Sequence, residues 1–267
     1  MQISFSTGAF YHRSFAYSLW LAREVGFDGV EVALGPEYLL RGARSLRAQS
    51  ERMGVPVLSV HPPFLPFPGW PYRAQRAIPR AAQVARELGA GVCVIHTLFL
   101  TGEQTPRALR YTDALKAGLA AGAGSVAIAI ESAQYKTQPP RRRYLLDDLA
   151  SLASFAQARG CALTFDTCHA GANGEDLLAC YEIVRPVLRN IHLSDMVWRK
   201  GEALTHHMPG EGTLALRPLL ARLARDGYEG LVTLELAPNE VGWWDRRYAE
   251  RRLAQALDFV RQAIIAP

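Results

Sequence analysis

The sequence predicts a single closed (β/α)8 barrel spanning residues 1–267. A length of 267 residues suits one barrel of the usual size, about 250 residues. Eight short apolar or β-branched runs alternate with longer amphipathic stretches from end to end. The connections that follow the runs are also longer and chemically richer than those that precede them, the asymmetry of a barrel whose function sits on its C-terminal face.

Taken in order, Gln2–Ser6 leads to the helical pattern Ser14–Val25, Gly29–Ala33 to Tyr38–Met53, Val55–His61 to Ala74–Leu88, and Gly91–His96 to Pro106–Ala121. Val126–Ser132 leads to Leu145–Arg159, Ala162–Asp166 to Asp176–Val187, Leu188–Ser194 to Leu216–Asp226, and Leu231–Leu236 to Tyr248–Ile265. Gly26, Gly54, Gly89, Gly160 and Gly227 each close a helical pattern just before a strand, where a left-handed residue is wanted. The long connections are His61–Tyr72, Ser132–Arg143 and Ser194–Thr213. Gly122-Ala123-Gly124 precedes a strand instead of following one, so it reads as a turn and not as a dinucleotide-binding loop.

Composition narrows the function classes. No apolar run reaches the roughly 18 residues of a membrane span, and the N-terminus lacks the pattern of a secretory signal, so a soluble cytoplasmic protein is expected. Cys93, Cys161, Cys168 and Cys180 form no C-x-x-C pair and read as reduced thiols. The net charge of +5 and pI near 9.2 come from scattered arginines, which suit solvated helix faces better than a nucleic-acid surface. The sequence is compatible with a homo-oligomer and does not specify one.

Chemistry concentrates at the strand ends. Six of the seven histidines, His61, His96, His169, His192, His206 and His207, fall at or just beyond the C-terminal ends of the runs. Carboxylates join them inside apolar runs, where an unpaired charge is costly: Glu131 on the fifth run, Asp166 on the sixth and Glu235 on the eighth. Neighbouring strands lie about 4.8 Å apart, so Glu131, Asp166, His192 and Glu235 can meet at one ion. Mixed oxygen and nitrogen donors suit manganese, magnesium, cobalt or zinc.

The segments GFDGVEV (26–32), SVHPPF (59–64), VIHT (94–97), AIES (129–132), FDTCHA (165–170), IHLSD (191–195), HHMPGEG (206–212) and LELAP (234–238) resemble the xylose isomerase-like TIM-barrel superfamily. That superfamily holds sugar and sugar-phosphate isomerases and epimerases, together with endonuclease IV-type enzymes acting at abasic sites. The isomerase and epimerase resemblance implies metal ligands Glu131, Asp166, His192 and Glu235, with Glu131 and Glu235 also transferring a proton on a small sugar, sugar phosphate or cyclitol. It further implies that His169 touches substrate oxygen. The endonuclease resemblance implies a trinuclear zinc site that draws in His61, His96, His169 and His206 and acts on nucleic acid. Leu204 stands where that pattern requires an aspartate, which argues against a complete set of three ions.

Other residues have two readings each. His206 fits the last histidine position better than His207 by its spacing to Gly210. Asp195 reads as an outer residue that orients an imidazole or as a turn residue. Arg199 sits one residue later than the substrate arginine of epimerases. Phe64, Phe67, Trp70 and Tyr72 could wall a sugar ring or fold onto their own barrel, and Trp243 and Trp244 invite the same pair of readings. Arg141, Arg142 and Arg143 could grip a phosphate or open a helix.

Overall fold

The period-2 patterning of the apolar runs closes a parallel barrel in the computed structural model, which describes residues 1–64, 68–98, 100, 102–134 and 146–265. The barrel strands are β1 (Gln2–Ser6), β2 (Gly29–Ala33), β3 (Val57–His61), β4 (Val92–His96), β5 (Ala127–Glu131), β6 (Ala162–Asp166), β7 (Leu188–Leu193) and β10 (Leu231–Leu234). They close in the order β1-β10-β7-β6-β5-β4-β3-β2, each parallel to its neighbours. The surrounding helices include α1 (Phe15–Val25), α2 (Pro36–Met53), α3 (Ala74–Leu88), α4 (Pro106–Gly122), α5 (Leu149–Ala158), α6 (Thr167–Ala172), α7 (Leu177–Val184), α8 (Leu216–Arg225), α9 (Pro238–Val241) and α10 (Arg246–Ile265).

Two apolar layers follow from strand alternation. One set of strand residues, including Ile128, Ile130, Phe165 and Val232, packs with helix residues such as Leu19, Leu115, Leu219 and Leu253 in the main core. Each such side chain contributes about 1.5–3 kcal/mol through burial. The alternate set, including Val92, Val94, Ala129 and Leu231, forms a small separate cluster. The helix ends behave as the glycine pattern predicts: Gly26 (φ 90°) and Gly89 (φ 79°) take the left-handed conformation and donate their N–H groups back to the last helical turn.

The boundaries differ from expectation in a few places. Helix α5 starts at Leu149, where the Asp148 carboxylate caps the Ser151 N–H at 2.8 Å; the expected start at Leu145 lies outside the described residues. Strand β10 ends at Leu234, so Glu235 stands one residue past the strand. The connection 194–213 is not only loop, because β8 (Asp195–Arg199) and β9 (Glu202–His207) pair as an antiparallel hairpin. Lys200 (φ 52°) and Gly201 (φ 81°) supply the two positive-φ residues of its turn. All four cysteines are buried and unpaired, and no helix among the described residues is long and apolar enough to cross a membrane.

Candidate functional site

Strand alternation carries one line of side chains up each strand to the C-terminal rim. Val92 and Val94 are followed at the same parity by His96, Ala129 by Glu131, Thr164 by Asp166, Asn190 by His192, and Leu231 and Thr233 by Glu235. Register then sets them side by side: His96 pairs with Glu131, and Asp166 with His192. The result is a polar cap on the barrel lumen in which His61, Glu131, Asp166, His192 and Glu235 are all buried.

His192 Nδ1 lies 2.9 Å from Glu235 Oε2 and 3.4 Å from Glu131 Oε1. The other Glu131 oxygen lies 3.4 Å from His61 Nε2 and 3.5 Å from His96 Nε2. His169 Nδ1 lies 3.5 Å from Asp166 Oδ2, and its backbone N–H donates to Asp166 Oδ1 at 2.8 Å. Three groups each bring ligand atoms within 4.8 Å of one another: Glu131, Asp166, His192 and Glu235; His61, His96 and Glu131, which shares Glu131 with the first; and Cys168, His169 and His206.

The donor set fits a divalent cation. Among the described residues, Glu131 Oε2, Asp166 Oδ2, Glu235 Oε2 and His61 Nε2 are some of the buried polar atoms without a hydrogen bond, a costly arrangement that an ion using their lone pairs would relieve. Histidine orientation points the same way. His61 Nδ1 donates to the Pro62 carbonyl at 2.6 Å, His169 Nδ1 to the Ser132 carbonyl at 2.9 Å, and His206 Nδ1 to the Glu235 carbonyl at 3.2 Å. Each of these bonds fixes a tautomer and leaves Nε2 as a potential ligand.

The carboxylates are held charged. Burial pushes the Glu235 carboxyl up, but the charges of His192, 2.9 Å away, and of His206 bring it down to about 2. Burial likewise acts against ionisation of Glu131, yet His192, His61 and His96 hold it well below the usual carboxylate range. Burial alone would lower His192, whereas the carboxylates of Glu235, Glu31 and Glu131 lift it well above an ordinary imidazole.

Several expected residues occupy other places. Asp195 accepts backbone N–H bonds from Met196 (2.9 Å), Gly210 (3.0 Å) and Leu214 (3.0 Å), so its carboxylate ties the hairpin to the 208–214 loop instead of orienting an imidazole. Arg199 is exposed at the end of β8, not in the buried cluster. Trp70 is buried and meets Tyr38 edge-on at 6.1 Å, so it belongs to the core and not to a sugar-facing wall. Phe64 keeps the wall reading: it is 42% exposed and stacks on His61 at 4.3 Å. Trp244 is exposed, and the Trp243 ring lies tilted by 38° against His12 at 4.4 Å. His207 turns to Glu240 at 3.1 Å, while His206 faces the cluster in a left-handed conformation (φ 59°). Phe67, Arg141, Arg142 and Arg143 lie outside the described residues.

Sequence reasoning missed Glu31. It is fully buried in the middle of β2, and its Oε2 accepts from His192 Nε2 at 3.2 Å and from Ser59 Oγ at 2.8 Å. The signal was present, since Glu31 is a carboxylate flanked by valines, like the acids that were found. Cys168, between Asp166 and His169, was also passed over; its Sγ lies 3.7 Å from His206 Nδ1.

Comparison with known proteins places the chain. The family model described as xylose isomerase-like TIM barrel matches residues 19–263. An uncharacterized protein of Mycobacterium tuberculosis is 26% identical over 288 residues, covering 99% of this chain and 98% of that one. Fructoselysine 3-epimerase of Escherichia coli is 26% identical over 262 residues, covering 86% and 89%. Among solved structures, D-psicose 3-epimerase with D-tagatose from Clostridium cellulolyticum superposes with a TM-score of 0.74 at 16% identity over 100% of both chains. The apo form of 3-keto-D-glucoside 4-epimerase from E. coli gives 0.71 at 19% identity over 98% and 99%. These structural likenesses show a shared fold.

Proposed function

The chain belongs to the xylose isomerase-like TIM-barrel family, and from that premise we propose that it is a divalent-metal-dependent epimerase or isomerase of a sugar-like hydroxy-carbonyl compound. The observation that carries this reading is the buried group Glu131, Asp166, His192 and Glu235, whose ligand atoms lie within 4.8 Å of one another. The fructoselysine 3-epimerase relative, aligned over most of both chains, supports it.

In this reading Glu131, Asp166, His192 and Glu235 hold the cation. A bound manganese, magnesium, cobalt or zinc ion supplies Lewis-acid polarisation of a carbonyl and its neighbouring hydroxyl, which acidifies the C–H between them. Glu131 and Glu235 are held ionised by their histidine neighbours and are therefore bases at neutral pH. One takes the proton from the carbon beside the carbonyl. The other, having taken up a proton from solvent water, would deliver that proton to the opposite face and invert the centre, while the first gives its proton up to solvent. His169, whose Nδ1 is committed to the Ser132 carbonyl, has Nε2 left to bind a substrate oxygen. Phe64 offers a partly exposed ring for an apolar sugar face.

A second reading rests on the two further ligand groups, His61, His96 and Glu131 and Cys168, His169 and His206. Filled together with the first group, they would make a multi-zinc phosphodiesterase for abasic DNA. Against it stands Leu204, which pairs with Val197 in the hairpin and offers no donor atom.

The two readings separate in one panel. Chain loaded with Mn2+ or Zn2+ is incubated with free, phosphorylated and amine-linked ketoses and, in parallel, with an abasic-site duplex, while bound metal is counted by mass spectrometry. Interconversion of a ketose with one ion per chain supports the proposal. Strand cleavage with three zinc ions per chain removes it.

A further inference from the structure

His192 is held differently from the other histidines of the site. His61, His169 and His206 each donate Nδ1–H to a neutral main-chain carbonyl. His192 instead turns Nδ1 towards Glu235 and Glu131 and gives Nε2, on the opposite edge of the ring, to a carboxylate oxygen of Glu31 at 3.2 Å. Strands β2 and β7 are not neighbours in the barrel, so this contact crosses the lumen. Glu31 and His192 are both fully buried, and Ser59 on β3 donates to the same Glu31 oxygen at 2.8 Å.

A carboxylate in this place needs an explanation, because burying its charge is costly without strong compensation. One serine and one imidazole edge supply the hydrogen bonds. An acceptor at Nε2 holds a proton there, so the proton that a cation displaces is the one on Nδ1, the nitrogen that faces the acidic cluster. A negative acceptor also makes the ring more basic and a stronger metal ligand than a neutral carbonyl would.

We infer that Glu31 is a positioning residue that fixes His192 in the tautomer presenting Nδ1 to the cluster and strengthens that nitrogen as a ligand for a divalent cation, with Ser59 fixing the Glu31 carboxylate in turn. The inference rests on the metal-dependent part of the proposed function and is independent of the sugar.

The test titrates metal-free wild type, Glu31→Gln, Glu31→Ala and Ser59→Ala with Co2+, following visible absorption and binding heat without substrate. Glu31→Ala is expected to weaken Co2+ binding about 10- to 100-fold and to change the Co2+ absorption bands. Glu31→Gln, whose amide oxygen still accepts from Nε2–H, loses less, and Ser59→Ala less again. The melting temperatures of the metal-free variants check folding. Unchanged Co2+ affinity and spectrum in folded Glu31→Ala overturn the inference.

Should Glu31→Ala fail to fold, 15N-histidine spectra of Zn2+-loaded wild type decide the matter. His192 protonated at Nε2 and metal-bound at Nδ1 is the expected pattern, and the reverse overturns it. Glu31-dependent Co2+ binding without any sugar turnover keeps this inference and removes the proposed sugar chemistry. Sugar turnover with Glu31-independent Co2+ affinity does the opposite, and a wild type that takes up no Co2+ removes both.

Discussion

Nδ1 of His192 lies 2.9 Å from Oε2 of Glu235, closer than any other imidazole–carboxylate approach in the buried cluster among the described residues. The same nitrogen is 3.4 Å from Glu131, so one ring bridges the two acids to which proton transfer is assigned. Replacing Glu235 with glutamine keeps the shape and removes the charge. Glu235→Gln is therefore expected to fold with an undiminished metal-free melting temperature while kcat on a competent sugar falls about 10²- to 10⁴-fold. Steady-state kinetics beside thermal melts check this, and turnover within a few-fold of wild type would take Glu235 out of proton transfer.

Metal uptake should release a proton. Without metal the carboxylates around His192 lift its imidazole well above the ordinary range and favour the charged form, while Glu131 and Glu235 are held ionised. A protonated imidazole cannot ligate. Cation binding near pH 7 should thus displace about one proton per ion, and affinity should rise with pH until the raised His192 pKa is passed. Calorimetry in buffers of different ionisation enthalpy measures the proton count. A count of zero at pH 7 would show that His192 is neutral before binding or is not a ligand.

Trp70 and Phe64 should separate stability from substrate contact. Trp70 is buried against Tyr38, so Trp70→Ala is expected to cost about 3–5 kcal/mol in urea unfolding. Phe64 is half exposed on His61, and Phe64→Ala is expected to cost about 1 kcal/mol and to raise KM more than it lowers kcat. The opposite ranking would mean that Trp70, not Phe64, faces the substrate.

Asp195 accepts three backbone N–H bonds, and a Cβ on Gly212 would run into its carboxylate. Asp195→Ala strands those donors and is expected to destabilise the chain by on the order of 3 kcal/mol, with Gly212→Ala acting in the same direction. Metal content of the folded fraction should stay at the wild-type value. Loss of the ion without loss of stability would return Asp195 to the role of orienting a ligand.

Much of this was legible in the sequence because it depends on local rules. Strand parity and helix-closing glycines set the barrel, and parity carried Glu131, Asp166 and His192 to the rim. Glu31 was not legible because it stands in mid-strand, and its place acquires meaning only when the barrel closes and lets a β2 side chain reach across the lumen to β7. The hairpin of β8 and β9 escaped because Lys200-Gly201 is a weaker turn signal than Asn-Gly. Trp70 was indistinguishable from Phe64 by composition. Only the packing of the loop on Tyr38 separates them.

Proton transfer by Glu131 and Glu235 at the sugar carbon beside the carbonyl is read out by deuterium wash-in. Metal-loaded chain is incubated in D2O with a ketose found to turn over, and the carbon beside the carbonyl is followed by 1H NMR. Wash-in by wild type at that carbon is expected, abolished by EDTA and by Glu131→Gln with Glu235→Gln. Conversion of the sugar with no solvent deuterium in the product, or wash-in that survives loss of both carboxylates, would contradict it.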